Sequence, residues 1–109
     1  MKTIQLRRYE LGEGTFDTFM TWWSTHLLPV RTEFGFDVEF SYVVPERNEI
    51  VWACSLDGDR DHFLEVEARY DASPGRSAAF AHLPAGVLLG KATDFVEDAD
   101  PRSYGNRSA

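Results

Sequence analysis

Seven apolar residues, Phe16, Phe19, Met20, Trp23, Leu27, Val30 and Phe34, recur at helical spacing. They form the stripe of an amphipathic helix about five turns long, the strongest single signal in the chain. Asp17 lies in the first turn, where a negative charge suits the helix dipole, and Gly35 follows the last apolar position as a stop. Pro29 falls inside the run. It lacks a backbone donor, so a kink or a division of the helix is expected there.

Around this helix the period changes to two. Thr3 to Glu10 alternates Ile4 and Leu6 against Gln5 and Arg7 and reaches Tyr9, which reads as a strand with two different faces. Gly12 and Gly14 end it, and Gly14 or Thr15 can cap the helix. Phe36 to Val44 reads as a second strand, with Phe36, Val38, Phe40, Tyr42 and Val44 on one face. Turn residues at 45–48 join it to a third, Glu49 to Leu56, as an antiparallel hairpin. The third strand is apolar on both sides, which predicts burial on both. Asp59 can cap a second helix, Arg60 to Ala72, with Phe63, Val66 and Tyr70 as its stripe, and Ser73-Pro74 restarts a short one. Val87 to Glu97 reads as the last strand.

The order is β-α-β-β-α-β, the ferredoxin-like arrangement: an α+β fold with one four-stranded antiparallel sheet and both helices on one face. The 109 residues allow one domain, taken as 1–97, and leave 98–109 as an aperiodic, flexible tail. Aromatic residues make up 14% of the chain. That supply exceeds what one subunit's core should need, so the uncovered sheet face predicts a homodimer. The net charge of −7 argues against a nucleic-acid partner. No apolar run is long enough for a membrane helix, and no signal h-region opens the chain. The single Cys54 cannot form an internal disulfide. A cytoplasmic protein is the expectation.

Ile4-x-Leu6-Arg7-x-Tyr9-x-Leu11 with Gly12-x-Gly14, then Trp23, Leu28-Pro29-x-Arg31 and Phe34-Gly35-Phe36, resembles the NIPSNAP family. Asn48-Glu49-Ile50-Val51, and Arg69-Tyr70-x-x-Ser73-Pro74 with Phe80, extend the resemblance over roughly residues 2–97. It implies the dimeric α/β barrel superfamily, in which two ferredoxin-like subunits close their sheets together. That superfamily includes cofactor-free monooxygenases, cyclases, haem-degrading enzymes and domains without an assigned reaction, so it implies a fold more than a reaction.

His26 is the first candidate for chemistry. It follows Trp22 by four residues beside the Trp23 stripe, where it could serve as a general base at a cavity mouth. The alternative is a half-exposed histidine packed on Trp22. Arg7 and Tyr9 share a face of the first strand and could stabilise an enolate or carboxylate. The alternative for Arg7 is an ion pair with Glu39 or Glu49. Tyr42, Trp52 and Trp22 are candidate pocket walls. A one-residue register slip exchanges the two faces, so sequence leaves open which face lines a cavity. Asp37 and Glu39 could share a strand face, as paired carboxylates or as solvated surface. Asp57-x-Asp59-x-Asp61 starts like a calcium loop but has His62 and Ala68 where glycine and glutamate are needed. The expectation is therefore no metal and no cofactor, with His26, His62 and His82 on separate segments. Haem binding stays open only because the superfamily includes it.

The function expected is a small-molecule enzyme acting on a hydrophobic or aromatic, polyketide-like substrate by proton transfer, cyclisation or oxygenation. His26 would be the base, Arg7 and Tyr9 the anion-stabilising partners. The alternative is a non-catalytic ligand-binding or assembly domain.

Overall fold

The computed structural model describes residues 1–103. Its strands are β1 (Lys2–Leu11), β2 (Asp37–Val44), β3 (Glu49–Asp57) and β4 (Leu88–Val96), and its helices are α1 (Phe16–Trp22), α2 (Leu28–Glu33), α3 (Arg60–Asp71) and α4 (Pro74–Ala81). The sheet order is β2-β3-β1-β4. All three neighbouring pairs are antiparallel, as the ferredoxin-like reading requires. No helix among the described residues is long and apolar enough to cross a membrane. Residues 104–109 of the expected tail lie outside the described residues. Before them, Pro101–Ser103 forms a short 3₁₀ turn, with Arg102 forked onto Asp100.

Between α1 and α2 the helix widens into a π-helical turn, Trp23–Leu27, in which the Leu28 amide donates to the Trp23 carbonyl five residues back. Pro29 explains the position. Its ring would strike the carbonyl four residues earlier in an α-helix, and a wider turn relieves that clash. The division expected at Pro29 is present, with two consequences. Trp22 and Trp23, adjacent in sequence, are both buried, and so is Arg31 one turn beyond Leu27. Gly35, at φ +92, then ends the helix in a conformation that disfavours any side chain.

The caps follow the sequence expectation at the later helices. Asp59 accepts from the His62 amide at 2.9 Å, and Ser73 accepts from the Arg76 amide at 3.2 Å. At α1, Thr15 occupies the cap position, but its hydroxyl donates to the Gly12 carbonyl instead. Gly12 also passes so close to Gly86 that a Cβ would collide with the Gly86 carbonyl oxygen. That contact fixes the loop after β1 against the loop before β4.

The core lies between the helices and one face of the sheet. Tyr9 and Leu11 of β1 and Ile50, Trp52 and Cys54 of β3 meet Phe19, Trp23, Leu27, Phe63, Val66 and Tyr70 from above. Trp52 to Leu56 are all buried, so side chains on both faces of β3 are shielded from solvent there, as its composition predicts.

The second strand differs from its sequence reading. A bulge between Val38 and Phe40 inserts one residue, so Val38 pairs with Cys54 while Phe40 pairs with Ala53 and Tyr42 with Val51. Residues directly opposed in an antiparallel pair share a face. The apolar face expected over 36–44 is therefore split. Phe36 turns into the core against Phe63 and Tyr70, and Phe40 and Tyr42 lie on the open face.

Candidate functional site

On β1 the alternation places Gln5, Arg7 and Tyr9 on the helix-covered face, and all three are buried. Arg7 Nε donates to the Tyr9 hydroxyl at 3.0 Å, and its Nη1 donates to Gln5 Oε1 and lies 3.4 Å from Glu67 Oε2 on α3. Register sets Arg7 opposite Trp52, and the guanidinium lies 5.6 Å from the centres of both the Trp52 and Tyr9 rings. The alternative reading of Arg7, an ion pair with Glu39 or Glu49, is not what the structure shows. Neighbours of Arg7 take those carboxylates on the other face: Lys2 holds Glu39 at 2.8 Å and Arg8 holds Glu49 at 3.3 Å. Glu39 also accepts from Ser55 at 2.7 Å, so it is no free partner for Asp37.

Arg7 does not end in a sealed core. It forms part of the wall of a cleft of about 280 Å³, whose other lining residues are Glu67, Asp71, Arg76, Lys91 and Thr93. Arg76 lies 3.5 Å from Asp71, and its guanidinium is 4.4 Å from the Phe80 ring centre. Lys91 Nζ is 5.5 Å from the same ring. Burial holds the Lys91 amine below its ordinary pKa, and the charges of Arg76 and Arg7 push it the same way. Three cations against two carboxylates make this a positive site in an acidic protein. Such a site attracts an organic anion.

His26 is elsewhere. It lies in the π-helical turn and stacks on His82, just past the end of α4, with ring centres 4.2 Å apart and planes 11° from parallel. Both border a surface depression of about 430 Å³ that Trp22 and Pro84 help to line. Trp22 donates from Nε1 to the Ala79 carbonyl at 2.7 Å and packs on Phe80, tying α1 to α4. The expected set thus divides three ways. Arg7, Tyr9 and Trp52 come together on the covered face. His26 and Trp22 share the depression outside the helices. Tyr42, 68% exposed, stands alone on the opposite face of the sheet, because the bulge in β2 turns it away from Trp52.

Sequence reasoning passed over Glu67, Lys91 and the buried Arg31. Two of them carried a signal. Arg31 falls four residues after Leu27 on the apolar stripe, and Glu67 sits between Val66 and Tyr70 on the stripe of α3. A charge on a buried helical face is unusual enough to mark a site. Lys91, on an edge strand, carried none. Among the described residues no three metal-ligating side chains come together. Cys54 is buried and free, and burial pushes its thiol pKa up against the pull of Arg31 and Arg7.

No family model matches the sequence, and no curated protein matches it. Solved structures do. An uncharacterized NIPSNAP domain protein from Burkholderia xenovorans aligns with TM-score 0.77 at 19% identity, over 92% of this chain and 96% of that one. A NIPSNAP family protein of unknown function from Agrobacterium tumefaciens aligns with TM-score 0.78 at 16% identity, over 90% and 88%. A candidate antibiotic biosynthesis monooxygenase from Nitrosomonas europaea aligns with TM-score 0.65 at 6% identity, over 92% of each chain. At these identities the shared property is the fold. The chain has the ferredoxin-like fold of NIPSNAP family proteins, as the resemblance in its sequence implied.

Proposed function

We propose that this chain, built on the NIPSNAP fold, is a small-molecule enzyme that holds an acidic, partly hydrophobic substrate in the Arg7 cleft and moves a proton within it. The observation that carries this reading is Arg7 itself. It is an almost fully buried guanidinium that borders a cleft, with a carboxylate beside it and two further cations across from it. Phe80 lies beneath Arg76 and Lys91 and holds these two cations at the cleft.

In this reading Glu67 replaces His26 as the base. Its carboxylate removes a proton from the carbon beside a carbonyl, and the electron pair moves onto the carbonyl oxygen. Arg7 and Lys91 stabilise the oxyanion as it develops. Return of the proton to another carbon completes an isomerisation; alternatively the enolate carbon attacks a second carbonyl, and the proton held by Glu67 passes to the new alkoxide to complete a cyclisation. The step asks for no group beyond these side chains.

The test is a panel of aromatic and aliphatic keto acids in deuterated water, followed by NMR for loss of the proton beside the carbonyl. The wild type exchanges that proton. Glu67→Gln binds but exchanges at least ~100-fold more slowly, within the usual range for a general base. Arg7→Met loses binding. Binding by the wild type without exchange would instead establish the non-catalytic, ligand-binding alternative.

A second copy of the chain is our reading of the open face. Ile4, Leu6 and Val51 are only half-buried there beside Phe40 and Tyr42, with the Lys2–Glu39 and Arg8–Glu49 pairs around them. Covering such a surface is favourable by roughly 25 cal/mol per Å² of apolar area removed from water. Sedimentation equilibrium should give a dimer for the wild type and a monomer for Leu6→Glu. A monomeric wild type at high concentration overturns it.

A further inference from the structure

Arg31, near the end of α2, is 4% exposed, yet it pairs with no carboxylate among the described residues. Its guanidinium is enclosed by aromatic rings, 4.4 Å from the centre of Tyr70, 5.0 Å from Phe36 and 5.2 Å from Trp52. The one hydrogen-bonding contact is from Nη1 to Cys54 Sγ at 3.8 Å, a weak acceptor. Its Nε has no partner. Three more buried polar atoms of the surrounding aromatic cluster share that condition: Trp52 Nε1, Trp23 Nε1 and the Tyr70 hydroxyl. The Trp23 and Trp52 rings are in contact, with centres 5.0 Å apart.

All four orphaned atoms carry a hydrogen to donate, and the aromatic rings around them accept only weakly. Ring faces offset part of the desolvation of the cation, but they leave its charge uncompensated. Cys54 does not supply the missing charge, because burial keeps its thiol protonated. Burial also raises the Tyr70 phenol above its usual pKa against the pull of Arg31, so Tyr70 remains a donor. A water molecule would accept from these groups, but it would add two hydrogens that also need acceptors. An anion accepts from every side and neutralises Arg31 as well.

We propose that a small monovalent anion, a halide or a short carboxylate, binds between α2, α3 and β3 on the Arg31 guanidinium and the donors of Trp52 and Tyr70. This site does not rest on the proton-transfer reading, since Glu67 and Lys91 take no part in it. Arg7 lies beyond Trp52 and already has Glu67 as its counter-charge.

Bromide and formate are the probes. The protein is dialysed into a buffer whose anion is a bulky sulfonate, and each probe is titrated at constant ionic strength. The thermal midpoint of the wild type should rise by roughly 3–6 °C once the probe is far above its dissociation constant. Bromide should also quench the fluorescence of the buried tryptophans. Arg31→Met should abolish both responses and Arg7→Met should keep them. Equal midpoints in bromide, formate and sulfonate overturn the proposal, as does an undiminished response in Arg31→Met. If Arg31→Met does not fold, crystals of the wild type grown in bromide decide: an anomalous peak at hydrogen-bond distance from the Arg31 guanidinium supports the site, and none there overturns it. Failure of the proton-transfer reading would appear only in the exchange assay with Glu67→Gln.

Discussion

Arg7 and Arg8 are consecutive residues of one strand, and each meets a glutamate at nearly the same distance, 3.4 Å and 3.3 Å. Alternation sends Arg7 under the helices, beside Tyr9 and Trp52, and sends Arg8 to the open face. The same chemistry therefore has two meanings. Under the helices it is desolvated, tied to aromatic rings and placed at a cleft. On the open face it is one of two solvated pairs around an apolar surface. Contact distance alone does not separate a desolvated charge from a solvated one. The other side of the sheet does.

The contrast is easiest to break with aromatic residues. Trp52→Ala removes a fully buried ring at the centre of the covered face and should cost about 3–5 kcal/mol in urea unfolding. Tyr42→Ala on the open face should cost under ~0.5 kcal/mol in an isolated subunit. A large Tyr42→Ala effect that grows with protein concentration would mean that the open face is covered by a second copy. The arginines give the next effect. Arg7→Met should destabilise by about 1–3 kcal/mol, because Glu67 is left half-buried and unpaired. Arg8→Met should fall within ~0–1 kcal/mol. Equal losses would erase the distinction between the faces.

The smallest effect is on pH dependence at the open face. Hydrogen bonds from Lys2 and then Ser55 hold the Glu39 carboxyl below its ordinary pKa. A group lowered on folding contributes stability that is present above the unfolded carboxyl's pKa and is lost as pH falls through the lowered, folded one. The wild type should therefore exceed Glu39→Gln slightly at pH 6, and the margin should close on acidification below about pH 4. High salt should shrink it too, since both groups reach solvent. Midpoints of thermal unfolding across pH measure it.

How much of this was legible in the sequence depended on periodicity. The order of elements along the chain, the antiparallel sheet and the caps at Asp59 and Ser73 follow from local spacing and turn chemistry, and the structure has them. Periodicity fails wherever one residue is inserted. The bulge at Val38–Phe40 changes the parity of β2 and moves Tyr42 to the far side from Trp52. The π-helical turn at Trp23–Leu27 does the equivalent to the long helix. It buries adjacent tryptophans, and His26 within it stacks on His82. The site was half legible. Arg7 and Tyr9 could be placed together from one strand, but Glu67 and Lys91 reach the cleft from α3 and β4. No spacing within one segment encodes a meeting of three segments.

Cys54, the only cysteine in the chain, lies in the central strand with its sulfur 3.8 Å from Arg31. A thiol reagent therefore has one target, and that target is shut while the helices rest on the sheet. The rate of labelling is then a clock for the separation of the two layers. A ligand that holds the helices to the sheet would slow it. Without any engineered probe, the wild-type chain can report when a compound holds its two layers together.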